Sequence, residues 1–171
     1  TELNPESDGL ILEETLLNAL RDDTFLISIM LANNEIGVIQ PIEKIFEICK
    51  KNNIKLHTDA AQCLGYLPKK NFDSLANMIT LSSHKIYGPK GVGLLIVDED
   101  IQLTPLVYGG GQEFGYRSGT IPLPLIVGFS KAIELSIKNQ VRNSIQLASH
   151  RDALMNGLLK KNSKILINGS I

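Results

Sequence analysis

Residues 24–60, "TFLISIMLANNEIGVIQPIEKIFEICKKNNIKLHTDA", decide how this chain folds. They open on a nearly continuous apolar run, 24–34, ending in two asparagines, the pattern expected of a strand buried on both faces. Pro41 then introduces a segment in which Ile42, Ile45, Phe46 and Cys49 recur at i, i+3, i+4 and i+7, one stripe of an amphipathic helix. Lys50 and Lys51 fall in its last turn, where cations suit the helix dipole, and the asparagines after them suit a helix end. "IKLHTDA" (54–60) is a second short strand. Strand, helix and strand in this order predict a right-handed parallel crossover.

Working outward, "ILEETLLNAL" (11–20) reads as a helix with Leu12, Leu16, Leu17 and Leu20 on one stripe. "MITLS" (78–82) and "GLLIVD" (93–98) supply two more strands, and the gap between them is too short for a crossover helix. That pair is expected to be antiparallel. Beyond Pro124 the pattern is helical to about Asn162, with a break near Asn139, and "KILINGSI" at the end is strand-like. The expected fold class is α/β: a mixed, mostly parallel sheet covered by helices.

A length of 171 residues suits one domain with a substantial core, and 43% hydrophobic and 20% charged residues are ordinary globular values. The net charge of -1 gives no support to a nucleic-acid surface or an anionic membrane. Aromatics at 5%, with no Trp, argue against base stacking. No apolar run has the length of a membrane span, and "TELNPESDGL" is not a signal peptide. Cys49 and Cys63 make neither a disulfide framework nor a zinc site, so a reducing cytosolic compartment is the default.

Three polar clusters lie just past the C-terminal ends of apolar runs: Asn33, Asn34 and Glu35; His57, Asp59 and Gln62; and Ser82, Ser83, His84 and Lys85. In an open α/β sheet that edge is where ligands bind. A lysine in a partly desolvated pocket can attack a carbonyl as a free amine. A carboxylate facing a pyridine nitrogen keeps the ring protonated and electron-accepting. Serine hydroxyls, a histidine and the N–H groups of a turn can hold a phosphate. Together these are the parts required by pyridoxal phosphate, and not those of a metal site or a Ser-His-Asp hydrolase.

"LANNEIGVIQPI", "HTDAAQ", "SSHKIYGPKGVG" and "GGGQEFGYRSGT" resemble, in order, the signatures of cysteine desulfurases of the IscS/NifS group, in class V of the fold-type-I pyridoxal-phosphate enzymes. The resemblance implies that residues 1–137 are the central part of the cofactor-binding large domain, and 138–171 a helix and strand leading towards an incomplete small C-terminal domain. By the same resemblance Lys85 would form a Schiff base with the cofactor and shuttle a proton. Asp59 would pair with the pyridine nitrogen, and Gln62 would hydrogen-bond the phenolic oxygen, with Asn34 close by. Ser82 and His84 would hold the phosphate. Thr120 would reach the phosphate of the neighbouring subunit in a homodimer, with Gly109 to Gly111 packed nearby and Arg117 supporting the interface. The implied reaction takes sulfur from L-cysteine, releases L-alanine and leaves an enzyme persulfide. Its sulfur goes to an iron–sulfur scaffold or another acceptor protein, for cluster assembly or tRNA thiolation, in the cytoplasm.

The family's aromatic stacker over the ring and its phosphate-binding turn lie upstream of the matched segment, and its persulfide cysteine and carboxylate-gripping arginine lie downstream. The 171 residues are therefore expected to be a piece that cannot desulfurate cysteine alone, with unpaired sheet edges and poor solubility. Two other readings compete: another class V pyridoxal-phosphate enzyme, such as a selenocysteine lyase or aminotransferase, and a non-catalytic module that binds a scaffold partner. The presence of Asp59, Gln62, Ser82, His84 and Lys85 argues against the second. Bland roles are expected elsewhere. Lys90 is a solvated loop residue, Glu35 is structural, Cys49 is core and His150 is exposed. Cys63 is a poor candidate for the sulfur acceptor. Asp59 alone could simply cap a turn, His57 divides evenly between supporting the site and a satisfied interior histidine, and relatives commonly carry glycine where Ser83 stands.

Overall fold

The strand–helix–strand unit forms as its periodicity predicts. In the computed structural model, which describes residues 1–67 and 72–170, β1 spans Leu26–Met30, α2 Ile42–Lys51 and β2 Lys55–Asp59, preceded by a short α1, Glu13–Ala19. Strands β3 (Met78–Ser82) and β4 (Gly93–Val97) follow, and then α3, Leu123–Lys161. The sheet order is β1-β2-β3-β4. β1 and β2 pair in parallel, as do β2 and β3, whereas β3 and β4 are antiparallel, with Ser82 opposite Gly93. The mixed, mostly parallel sheet is the one expected.

Helix α2 shows why the unit closes. Ile42, Ile45, Phe46, Ile48 and Cys49 are all buried, which fixes the face it turns to the sheet. Its end is a Schellman turn: the Ile54 N–H donates to the Cys49 carbonyl (2.9 Å) and the Asn53 N–H to that of Lys50 (3.2 Å). Asn53 takes the left-handed conformation that this turn needs, φ 55°, which asparagine tolerates better than most residues. The chain is thereby returned to the sheet as β2.

The core lies on one face of the sheet. Ile27, Leu56, Thr58, Ile79 and Leu81 point into it and join α2, Leu16 of α1, and Phe129 and Ala132 of α3. The other face, carrying Leu26, Ser28, Met30, His57, Asp59, Thr80, Ser82 and Leu95, has no helix layer among the described residues. Leu26, Met30 and Leu95 are 39%, 40% and 45% exposed. The expectation that β1 is buried on both faces is therefore corrected to one. Apolar composition says that a strand can be covered, not that anything covers it. β1 is also an edge strand, and a groove of about 780 Å³ runs between it and the N-terminal segment, lined by Leu3, Leu16, Ile27 and Ile29.

Three smaller differences have local causes. In α1 only Leu16 of the expected stripe is fully buried, because Leu12 and Leu17 (each 48% exposed) face away from the core. α3 runs unbroken through Asn139, whose side-chain amide donates to the Leu135 carbonyl one turn back (2.8 Å) and so is absorbed by the helix. The strand-like tail forms no strand. Through residue 170 it is coil (Ile171 lies outside the described residues), and Gly169, at φ 97°, sits against Ile36 and Val38.

Candidate active site

Because β1, β2 and β3 are parallel, their C-terminal ends open on one edge of the sheet, and all three polar clusters gather there. The Leu31 N–H donates to the Asp59 carbonyl (2.8 Å) and the Ala60 N–H to the Thr80 carbonyl (2.9 Å), so the three exits are tied side by side. Asn34 is exposed in the turn after β1, where Asn33 Oδ1 accepts the N–H groups of Glu35 and Ile36, each at 2.9 Å. Asn33 thus satisfies backbone at the strand end and leaves Asn34 outward.

Asp59 ends β2 on the open face. Its Oδ1 accepts the Ala61 N–H (2.9 Å) and caps the turn that carries the half-buried Gln62. Oδ2 has no hydrogen bond among the described residues, so turn capping and ligand binding do not compete for the carboxylate. Asp59 is the register partner of Thr80, two residues before Ser82.

Lys85 projects from a short 3-10 turn, Ser83–Ile86, directly after β3. Ser82 Oγ and His84 Nδ1 lie 2.9 Å apart, a hydroxyl–imidazole pair beside the lysine. The turn is pinned from beneath. The Ser83 N–H donates to the Val92 carbonyl (3.3 Å), and the Gly88 N–H returns to that of Ser83 (3.0 Å). Gly88 packs so closely that a Cβ there would lie 2.2 Å from Ser83 Oγ and 3.1 Å from Ala132 Cβ. Tyr87 takes a left-handed backbone, φ 64°, to leave the turn. The Tyr66 hydroxyl donates to the Lys85 carbonyl (3.4 Å); burial, with the neighbouring Tyr87 phenol as a lesser cause, pushes its pKa up to about 12.

The desolvated pocket expected around Lys85 is not formed: Lys85 and His84 are exposed, because the face above them is open. Thr120 is also exposed and makes no hydrogen bond to the Lys85 cluster. It follows a loop closed on itself by Gly111 N–H to Ser118 Oγ (3.3 Å) and Gly119 N–H to Gln112 Oε1 (2.9 Å). Both cysteines are fully buried, and burial raises the Cys49 thiol to about 11. Lys90, Glu35 and His150 are exposed.

Sequence reading missed Ser28, Thr80 and Tyr66. Ser28 and Thr80 bracket His57 across three strands, with Ser28 Oγ 2.8 Å from Nδ1 and Thr80 Oγ1 2.8 Å from Nε2. Burial lowers the His57 pKa, with Asp59 partly opposing. The available signal was the alternation that sends Ser28, His57 and Thr80 to the same face as Asp59.

A carboxylate with one open oxygen, an exposed primary amine, a hydroxyl–imidazole pair and an amide on one sheet edge fit the ring nitrogen, aldehyde, phosphate and phenolic oxygen of pyridoxal phosphate. Among the described residues no cluster of three or more His, Cys, Asp or Glu side chains could hold a metal.

Comparison with known proteins gives the family. The chain is 45% identical over its whole length to the cysteine desulfurase IscS of Histophilus somni (strain 2336), covering 43% of that protein. It is 46% identical to the mitochondrial cysteine desulfurase of Arabidopsis thaliana, again over all of this chain and 38% of the relative. Among solved structures, a NifS-like protein superposes with a TM-score of 0.89 at 38% identity, over 95% of this chain and 45% of that one. SspA in complex with cysteine superposes with a TM-score of 0.74 at 47% identity, over 78% and 39%. The chain spans less than half the length of these relatives. Residues 1–170 match the family described as Aminotransferase class-V, and the chain belongs to that family.

Proposed function

We propose that this chain supplies the cofactor-binding edge of a pyridoxal-phosphate-dependent cysteine desulfurase, which converts L-cysteine to L-alanine and passes the sulfur on as an enzyme persulfide. The observation that carries the reading is the gathering of Asp59, Gln62, Ser82, His84 and Lys85 on the shared C-terminal edge of β2 and β3. Bound there, the cofactor would act as an electron sink for bonds broken at the substrate's α-carbon. Asp59 Oδ2 would hold the proton of the ring nitrogen. Gln62 and Asn34 would donate to the phenolic oxygen. Ser82 Oγ and His84 would bind the phosphate, and Lys85 Nζ would anchor the aldehyde carbon and carry a proton to and from the substrate's α-carbon. The likeness to SspA, solved with cysteine, supports L-cysteine as substrate.

Both thiols of this chain are buried, so neither Cys49 nor Cys63 is placed to receive the sulfur. Residues 1–137 would form the central large-domain part and 138–171 the lead into a small domain. Thr120 would complete the site of a second subunit in a homodimer. An iron–sulfur scaffold or other sulfur acceptor, met in the cytoplasm, would take the sulfur. No described helix is long and apolar enough to cross a membrane.

The test is a titration of this chain with pyridoxal phosphate, followed by absorbance. Wild type is expected to develop a lysine-bound chromophore that Lys85→Ala lacks; identical spectra for the two would refute the reading. Supplied with cofactor and L-cysteine, the 171 residues alone are expected to form no alanine at an enzymatic rate.

A further inference from the structure

The side-chain bridge across the open face has a direction. Ser28 is the register partner of His57, so His57 Nδ1, 2.8 Å from Ser28 Oγ, looks sideways at its own level of the sheet. On the other side the register partner of His57 is Met78, whereas Thr80 is the partner of Asp59. The contact of Nε2 with Thr80 Oγ1, also 2.8 Å, therefore runs diagonally forward and places that end of the ring at the level of the Asp59 carboxylate. His57 and Asp59 are two residues apart on one strand and share a face.

A neutral imidazole has one N–H and one lone pair, so the two hydroxyls must play opposite parts. Burial favours the neutral ring, and the Asp59 charge is the opposing influence. The carboxylate also decides between tautomers, because it favours the ring dipole that turns its N–H towards the negative charge. The other charged side chain at a facing position on β2 is Lys55, which is drawn off to Asp100 at 2.6 Å. β1 and β3 face the ring with Ser28, Met30, Met78 and Thr80, none of them charged.

We propose that His57 is a positioning residue for Asp59. It is held as the neutral Nε2–H tautomer, accepting from Ser28 through Nδ1 and donating to Thr80 Oγ1. The Asp59 charge, two residues along the same face, favours this tautomer because the N–H end of the ring lies at the level of the carboxylate. The string of contacts runs from Ser28 on β1 to Thr80 on β3 and turns the N–H end of the ring dipole towards Asp59, a field complementary to a carboxylate that faces a protonated ring nitrogen. The role in cofactor binding rests on the function proposed above; the tautomer and its coupling to Asp59 do not.

The experiment is nitrogen-resolved NMR of the histidine side chains in this chain at neutral pH, with His57 assigned by its loss in His57→Gln. The Nε2–H tautomer is expected, and Asp59→Asn is expected to mix the two tautomers. An Nδ1–H ring, a doubly protonated ring, or indifference to Asp59→Asn overturns the proposal. In the cofactor titration, Thr80→Val, which keeps the shape but cannot accept, is expected to weaken binding about tenfold with an unchanged fold. His57→Phe serves as a second variant, checked by thermal melting. Lysine-dependent binding with wild-type affinity in both variants would overturn the positioning role and leave the cofactor reading intact. Equal cofactor uptake by wild type and Lys85→Ala, with the tautomer still responding to Asp59→Asn, would remove the cofactor reading and leave the coupling in place.

Discussion

Alanine at position 88 is expected to test the packing that presents Lys85. A Cβ on Gly88 would lie 2.2 Å from Ser83 Oγ, 3.1 Å from the Ser83 carbonyl oxygen and 3.1 Å from Ala132 Cβ. The first distance is impossible and the others are tight. Ser83 is fully buried, with its Oγ lacking a partner, so the hydroxyl has no pocket to rotate into without new contacts. Forcing one methyl into such a site costs about 1–3 kcal/mol. Ser83→Ala alone should stabilise by about 1 kcal/mol, because it removes a buried hydroxyl that bonds nothing. In the double variant the worst clash is gone and only the 3.1 Å contacts remain. The coupling between the two substitutions should therefore be favourable by about 1–2 kcal/mol. Urea unfolding of the four proteins measures it, with the slope checked for constancy. Additivity within about 0.3 kcal/mol would refute the reasoning, since it would mean that Ser83 Oγ is not what excludes a side chain at 88.

Other expectations follow from the same contacts. Thr58 is fully buried with an unpartnered Oγ1, so Thr58→Val should raise stability by about 1 kcal/mol, or about 2–4 °C in melting temperature; a lower Tm would show that the hydroxyl is bonded. The His57 pKa is depressed in the folded chain, so its contribution is present above the ordinary histidine value and is lost as pH falls through the folded one. Stability should therefore drop below about pH 6.5, and His57→Gln should flatten that part of the profile in denaturant titrations at stepped pH. Cys49 has the opposite sign: its raised pKa, about 11, gives stability that is present below the ordinary thiol value and fades as pH climbs towards 11. Cys49→Ala should remove that alkaline slope while costing about 1–3 kcal/mol in lost packing at neutral pH.

The crossover unit was legible because three signals agreed over residues 24–60: an apolar run, a helical stripe and a polar exit. The antiparallel β3–β4 pair followed from the shortness of its connection. One-sided burial of β1 was not legible, since Leu26 and Met30 are as apolar as Ile27 and only the position of α2 tells them apart. Asn139 misled for a similar reason: its tendency to break helices was absorbed by a bond to Leu135. The placement of Asp59, Ser82 and Lys85 at strand ends on one edge could be read, because the apolar runs before them mark where strands stop. The exposure of Lys85 could not, because it depends on what lies above the sheet. Nor could the partners of His57, which sit 29 and 23 residues away in sequence and meet it only through strand register.

The antiparallel turn of β3 into β4 has a mechanical consequence. Ser82 and Gly93 stand opposite each other, so both feet of the segment that bears Lys85 are planted on a single rung of one ladder. An arch footed so narrowly cannot sway as a whole; it can only flex along its span. The amine is thus indexed to the sheet at both ends of its segment, with the helix α3 packed against the turn between them.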